Sequence, residues 1–122
     1  MKTHILLVDD EAPILELLAE YLTARGFRVT AVRSAAEART AAQASAPELV
    51  ITDLQLADGD GLQLVEQLKA LRPDLPVILL TGVLFDAKVV EERLSRKISA
   101  YVSKTSPLKQ LLQEVRRLIG PP

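Results

Sequence analysis

The chain has 122 residues, 48% of them apolar and 25% charged, the size and balance of one soluble globular domain with a real core. Fifteen basic against sixteen acidic side chains give a formal charge of −1, and with four aromatic residues and no basic run the chain lacks an electrostatic footprint for nucleic acid. The absence of cysteine excludes disulfides and thiolate metal sites and suits a reducing cytosol, while no apolar run approaches the roughly 20 residues of a membrane span.

In chain order, Met1-Lys2-Thr3-His4 runs straight into a strand pattern, so no signal peptide and a cytoplasmic location are expected. Residues 4–8 form a continuous apolar run, as in a strand covered on both faces, and it closes on Asp9-Asp10. Pro13 fits a first helical turn, where it has no hydrogen bond to lose. Ile14, Leu17, Leu18, Tyr21 and Leu22 make one helical stripe, and Gly26 is a good stop. Phe27 to Val32 alternates apolar and polar side chains, the pattern of a second strand nearer an edge. Ser34-Ala35-Ala36-Glu37 has capping-box spacing and opens an Ala-rich helix to about Ala44.

Pro47 precedes a third strand, Leu49-Val50-Ile51-Thr52, which closes on Asp53. Leu54 to Asp60 reads as a loop, with Asp60 capping a helix from Gly61 to about Leu71. Pro73 and Pro76 bracket the turn into a fourth strand, Val77 to Thr81. Between Gly82 and Ser99 the expected helix starts at Asp86 and carries Val89, Val90 and Leu94, with Lys97 where a glycine stop is wanted. Ala100 to Ser103 is the fifth strand. Ser106 as cap and Pro107 in the first turn open the last helix, whose stripe is Leu108, Leu111, Leu112, Val115, Leu118 and Ile119, and Gly120-Pro121-Pro122 ends it.

Strands alternating with helices in this way imply an α/β domain, a parallel sheet with right-handed crossovers and helices on both faces. The carboxyl ends of neighbouring parallel strands share one crevice, where ligands bind. Asp9, Asp10 and Asp53 all stand at such ends. Carboxylates gathered so closely either take up protons or hold a cation. The plainer readings are helix N-terminal charge for Asp9-Asp10 beside Glu11, and a solvated surface lysine for Lys104. His4, the only histidine, has no partner in view and no role.

Taken together, these residues resemble the receiver domain of bacterial two-component response regulators, the chemotaxis-regulator type included. The resemblance rests on Asp9-Asp10 after the first strand, Asp53 ending the third, Thr81 ending the fourth and Lys104 ending the fifth. Asp60-Gly61 and Tyr101 also fit. It implies a single doubly wound, flavodoxin-like sheet of order 2-1-3-4-5 over residues 1–119, with 120–122 a tail or the start of a linker. It further implies that Asp53 accepts a phosphoryl group from a histidine kinase or histidine phosphotransfer protein. Asp9, Asp10, Asp53 and the Gln55 backbone carbonyl would serve Mg²⁺, Asp9 through a coordinated water. Lys104 and Thr81 would bind phosphoryl oxygens, and Thr81 with Tyr101 would switch an output surface read by an output domain or downstream protein. Such a domain is not an enzyme beyond its own phosphorylation and dephosphorylation, and this one is expected to touch neither nucleic acid nor membrane.

Four features depart from that pattern. Thr105 follows Lys104 where the family has a cis proline; a cis bond before another residue costs about 2.5–4 kcal/mol, so a trans bond and a shifted loop are expected. Ala57 replaces a usual proline. The stretch from Thr81 to Lys104 is one residue longer, with Lys97 for a usual glycine. Gln55 and Val83 occupy positions that tune phosphate lifetime. These departures keep a second reading in play, an adaptor that acts by association without phosphorylation. A phosphatase with an aspartyl nucleophile is a third, but it needs Asp-x-Asp after the first strand, and the chain has Asp9-Asp10-Glu11. No Gly-x-Gly-x-x-Gly follows the first strand, which disfavours dinucleotide binding.

Overall fold

The computed structural model describes residues 2–82 and 98–120. Five parallel strands form the main sheet: β1 (His4–Val8), β2 (Arg28–Val32), β3 (Leu49–Asp53), β6 (Val77–Thr81) and β7 (Ala100–Ser103). Their order is β2-β1-β3-β6-β7, the doubly wound arrangement expected from sequence. Helices α1 (Ala12–Ala24), α2 (Ala35–Ala44), α3 (Gly61–Leu71) and α4 (Leu108–Ile119) cover the sheet.

Successive side chains of a strand point to opposite faces, so a continuous apolar strand feeds two cores at once. On one face Leu6, Val8, Val50, Val77 and Leu79 pack with Ala38 of α2 and Leu64, Val65 and Leu68 of α3. On the other, Ile5, Leu7, Leu49, Ile51, Ile78, Leu80 and Val102 pack with Leu15, Leu18 and Leu22 of α1 and Leu111, Leu112 and Val115 of α4. Each such side chain contributes about 1.5–3 kcal/mol on full burial, so the three central strands, buried along their whole length, are the rigid base of the molecule. Edge strand β2 is only partly covered, as its alternation foretells.

Local chemistry sets the element ends. Ser34 caps α2 by accepting the Glu37 N–H at 3.1 Å. Gly26 takes φ 99°, and its N–H closes on the Thr23 carbonyl at 3.0 Å, which stops α1 and turns Phe27 into the core with no exposure.

The structure corrects three expectations. Residues 54–60 are not a plain loop: β4 (Gln55–Leu56) and β5 (Gly59–Asp60) pair antiparallel in a small hairpin. Helix α1 turns Leu15 inward rather than Leu17, which is 52% exposed. Leu15 stands three and seven residues before Leu18 and Leu22 and shares their side of the helix, whereas Leu17 is spaced with Ile14 and Tyr21, and the sheet covers the Leu15 side. Ser106 does not cap α4. Pro107 is the N-cap, and its carbonyl accepts the Gln110 N–H at 2.9 Å. The Asp60 side chain and the expected helix with Asp86, Val89, Val90, Leu94 and Lys97 lie outside the described residues, as do Val83 and Pro121-Pro122. Among the described residues no helix is long and apolar enough to cross a membrane.

Candidate functional site

Strand register brings the charged residues to one edge of the sheet. Val8 pairs with Thr52, Asp53 with Leu80, and Thr81 with Ser103, so the chain leaves all four strands at nearly the same height. Asp9, Asp10 and Glu11 follow β1, and Lys104 follows β7. The Lys104 N–H donates to the Thr81 carbonyl at 2.9 Å, extending the ladder one residue and aiming the lysine side chain over β3 and β1.

The Lys104 ammonium is the centre of the site. It donates to Asp53 Oδ2 at 2.8 Å, to Glu11 Oε1 at 2.7 Å and to Asp9 Oδ1 at 3.3 Å. Asp9 is fully buried; its Oδ1 also accepts the Glu11 N–H at 2.8 Å. Its Oδ2 stands 3.0 Å from the ammonium, yet no hydrogen bond is completed at that oxygen. Burial therefore wins at Asp9 and pushes its carboxyl above the ordinary range, against the pull of the Glu11 N–H and Lys104. At Lys104 burial alone would lower the pKa, but the hydrogen bonds it donates to Asp53, Glu11 and Asp9 outweigh it, and the ammonium is held well above its usual value.

Asp9, Asp10, Glu11 and Asp53 each offer a carboxylate oxygen, and these oxygens lie within 4.8 Å of one another. Two unit charges about 4 Å apart interact by roughly 4 kcal/mol at an effective dielectric of 20, so one ammonium against four carboxylates leaves a strongly anionic pocket. Hard oxygen donors and an orphaned, buried carboxylate oxygen are what a divalent cation such as Mg²⁺ accepts. The residues present fit one.

The loop after Asp53 is pinned to the same region. The Gln55 N–H lies 3.4 Å from Asp53 Oδ1. Gly61 sits so close to β3 that a Cβ there would overlap the Asp53 carbonyl oxygen, which explains glycine at the start of α3. The described peptide bonds are all trans, Lys104–Thr105 included. In place of a proline ring, the turn after Lys104 is held by hydroxyls: Ser103 Oγ meets Thr105 Oγ1 at 2.8 Å and accepts the Thr105 N–H at 3.2 Å.

Of the residues singled out from sequence, Asp9, Asp10, Asp53 and Lys104 come together. Thr81 is buried at the end of β6, and Tyr101 lies on β7 opposite Leu79 with 36% exposure. His4 is a satisfied buried histidine, with Nε2 2.7 Å from Thr30 Oγ1. Two participants went unread. Glu11 looks like helix N-terminal charge, but its side chain makes no capping bond and goes to Lys104 instead. Asp58 Oδ1 and Oδ2 accept the Ala35 and Ala36 N–H groups at 2.9 and 3.0 Å, tying the hairpin to α2. Nothing local marks that pairing, which spans more than twenty residues.

Comparison with known proteins agrees with the geometry. A family model described as the response regulator receiver domain matches residues 5–116. The photosynthetic apparatus regulatory protein RegA of Cereibacter sphaeroides is 45% identical over 78 residues, covering 64% of this chain and 42% of RegA. The regulatory protein VirG of Agrobacterium tumefaciens is 31% identical over 113 residues, covering 93% of this chain and 42% of VirG. The crystal structure of NtrX from Brucella abortus superimposes with a TM-score of 0.88 at 29% identity, over 98% of this chain and 27% of NtrX. A response regulator receiver protein from Sinorhizobium medicae gives 0.86 at 29% identity, over 97% of this chain and 94% of its own. The chain thus spans about 42% of the length of those two curated relatives.

Proposed function

The chain belongs to the response regulator receiver domain family, a family of two-component signalling switches, and on that premise we propose that Asp53 is its phosphoacceptor. One Asp53 carboxylate oxygen attacks the phosphorus of a phosphohistidine on a kinase or phosphotransfer protein. The new P–O bond forms as the P–N bond breaks, and the imidazole nitrogen leaves with the electron pair. Lys104, already 2.8 Å from Asp53 Oδ2, balances the negative charge that gathers on the phosphoryl oxygens. Asp9, Asp10, Asp53 and the Gln55 carbonyl would hold Mg²⁺, which supplies further positive charge to those oxygens when bound. Thr81 donates its hydroxyl to the phosphoryl group, and Tyr101 follows that movement at the surface read by the output. The domain catalyses only its own phosphorylation and dephosphorylation, and it works in the cytoplasm with residues 1–119 as the receiver and 120–122 leading toward an output domain or ending as a tail.

The observation that carries this reading is the Asp53–Lys104 pair beside the orphaned Asp9 oxygen, a pocket with charge and donors suited to a cation and an incoming anion. Incubation with acetyl phosphate and Mg²⁺ tests it. The wild-type protein is expected to gain one phosphoryl group, mapped to Asp53, and Asp53→Asn to gain none. Equal labelling of the two proteins would remove Asp53 as acceptor.

A further inference from the structure

We propose that Ser103 and Thr105 are positioning residues, a pair of hydroxyls that latches the main chain around Lys104 and so keeps its ammonium aimed at the phosphoryl group taken up by Asp53. This inference rests on Asp53 being the phosphoacceptor. The acidic half of the site has firm footing: Asp9 follows β1 and Asp53 ends β3, central strands paired on both sides and buried along their length. Lys104 follows β7, which lies at the edge of the sheet, pairs only with β6 among the described strands and is partly exposed. Beyond β7 its main chain meets the sheet through its N–H, 2.9 Å from the Thr81 carbonyl. Its four-carbon stem is flexible and has to reach across β6 to Asp53. The side chain with the longest reach thus starts from the least constrained strand end.

Three bonds close the chain around that residue. The Ser106 N–H donates to the Ser103 carbonyl at 3.0 Å, which makes a turn with Lys104 and Thr105 in its middle. Ser103 Oγ accepts the Thr105 N–H at 3.2 Å and meets Thr105 Oγ1 at 2.8 Å, so one hydroxyl spans Lys104 and ties the residues on either side of it. A hydroxyl has one donor and two acceptor sites, enough for both contacts. Proline at 105 would stiffen the turn through its ring but has no N–H to give, so the latch and a proline exclude one another.

In the transfer an Asp53 oxygen bonds to phosphorus as the donor's leaving group departs with its electron pair, and the carboxylate's charge passes to the phosphoryl oxygens. The remaining holds on the ammonium are then Asp9 and Glu11, both on the β1 side. A fixed main chain at Lys104 keeps the ammonium over β3 through that exchange. Ser103 and Thr105 touch neither the phosphoryl group nor Asp53; they act through Lys104.

The test combines a rate with a spectroscopic signature. At saturating acetyl phosphate and Mg²⁺, Ser103→Ala is expected to be labelled about three- to tenfold more slowly than wild type, the size of effect that one or two exposed hydrogen bonds exert. Thr105→Val, which keeps the N–H bond and loses the hydroxyl contact, is expected to fall between the two, and Ser103→Thr to restore the rate. Thr40→Ala removes an exposed hydroxyl from α2 and is expected to match wild type. The nitrogen resonance of the Lys104 ammonium should move toward that of a solvated lysine in Ser103→Ala and return in Ser103→Thr. A wild-type rate in Ser103→Ala, an unmoved Lys104 resonance, or a defect that Ser103→Thr leaves in place would overturn the latch. A wild-type protein that takes up no phosphoryl group, while the Lys104 resonance still moves in Ser103→Ala, would instead overturn the phosphoacceptor reading on which this one stands.

Discussion

At Asp9 two forces oppose each other, and burial is the larger. A carboxylate without exposure pays for lost hydration, and Lys104 and the Glu11 N–H return only part of it. The folded protein therefore binds a proton at Asp9 more readily than the unfolded chain does. Its contribution to stability is best below the ordinary carboxyl value of 3.8 and worsens as pH rises from there through the raised folded value. Asp9→Asn, similar in shape and uncharged, is thus expected to melt at a higher temperature than wild type at pH 7, with the gap closing as pH falls toward 3.8. Thermal unfolding followed by circular dichroism across that range checks it, and a lower melting temperature at pH 7 would contradict it. The strand-end aspartates and Lys104 were legible in the sequence because each follows an apolar run that has to be a buried strand. Glu11 was not, since its direction depends on the Asp9 side chain catching its N–H, a detail of turn geometry that spacing does not encode.

At the scale of elements, the hairpin β4–β5 is held from both sides. Asp58 clamps it to the start of α2, and the backbone N–H bonds from Ala35 and then Ala36 pull its carboxyl below the ordinary value. The stabilisation is fully present above pH 3.8 and is lost as pH falls through the depressed folded value. Asp58→Ala should therefore lower the melting temperature at neutral pH and converge on wild type in strong acid. On the other side, Gly61 lets α3 begin directly against the Asp53 carbonyl. Gly61→Ala forces backbone apart and is expected to cost about 1–3 kcal/mol or more, read from the urea midpoint, with slower labelling of Asp53 because the acceptor's own main chain must shift. Helix α4 was legible almost to the residue, since Leu111, Leu112 and Val115 have no other face to occupy. The hairpin was not, because Gln55, Leu56, Gly59 and Asp60 have no strand-like pattern, and their pairing is closed by a long-range bond from the Gly61 N–H to the Leu54 carbonyl at 2.8 Å.

Across the whole molecule, the two cores hold the middle of the sheet so firmly that its carboxyl edge can carry charges that repel. Central strands β1, β3 and β6 are buried throughout, and the acidic residues come only where they end. Fold and site are linked by this division: the apolar runs that identify strands in the sequence also determine where the carboxylates emerge. The strand order reads from alternation of elements together with family likeness, whereas the choice between Leu15 and Leu17 on α1 required the sheet itself.

A titration with Mg²⁺ followed by the backbone amide signals of residues 9–11 and 53–55 probes the anionic edge where it matters. Saturable shifts confined to those segments, weakened by Asp10→Asn and by Asp53→Asn, are the predicted result. Signals there that stay fixed through millimolar-scale Mg²⁺ would contradict a pocket built to gather a cation and, with it, a phosphoryl anion.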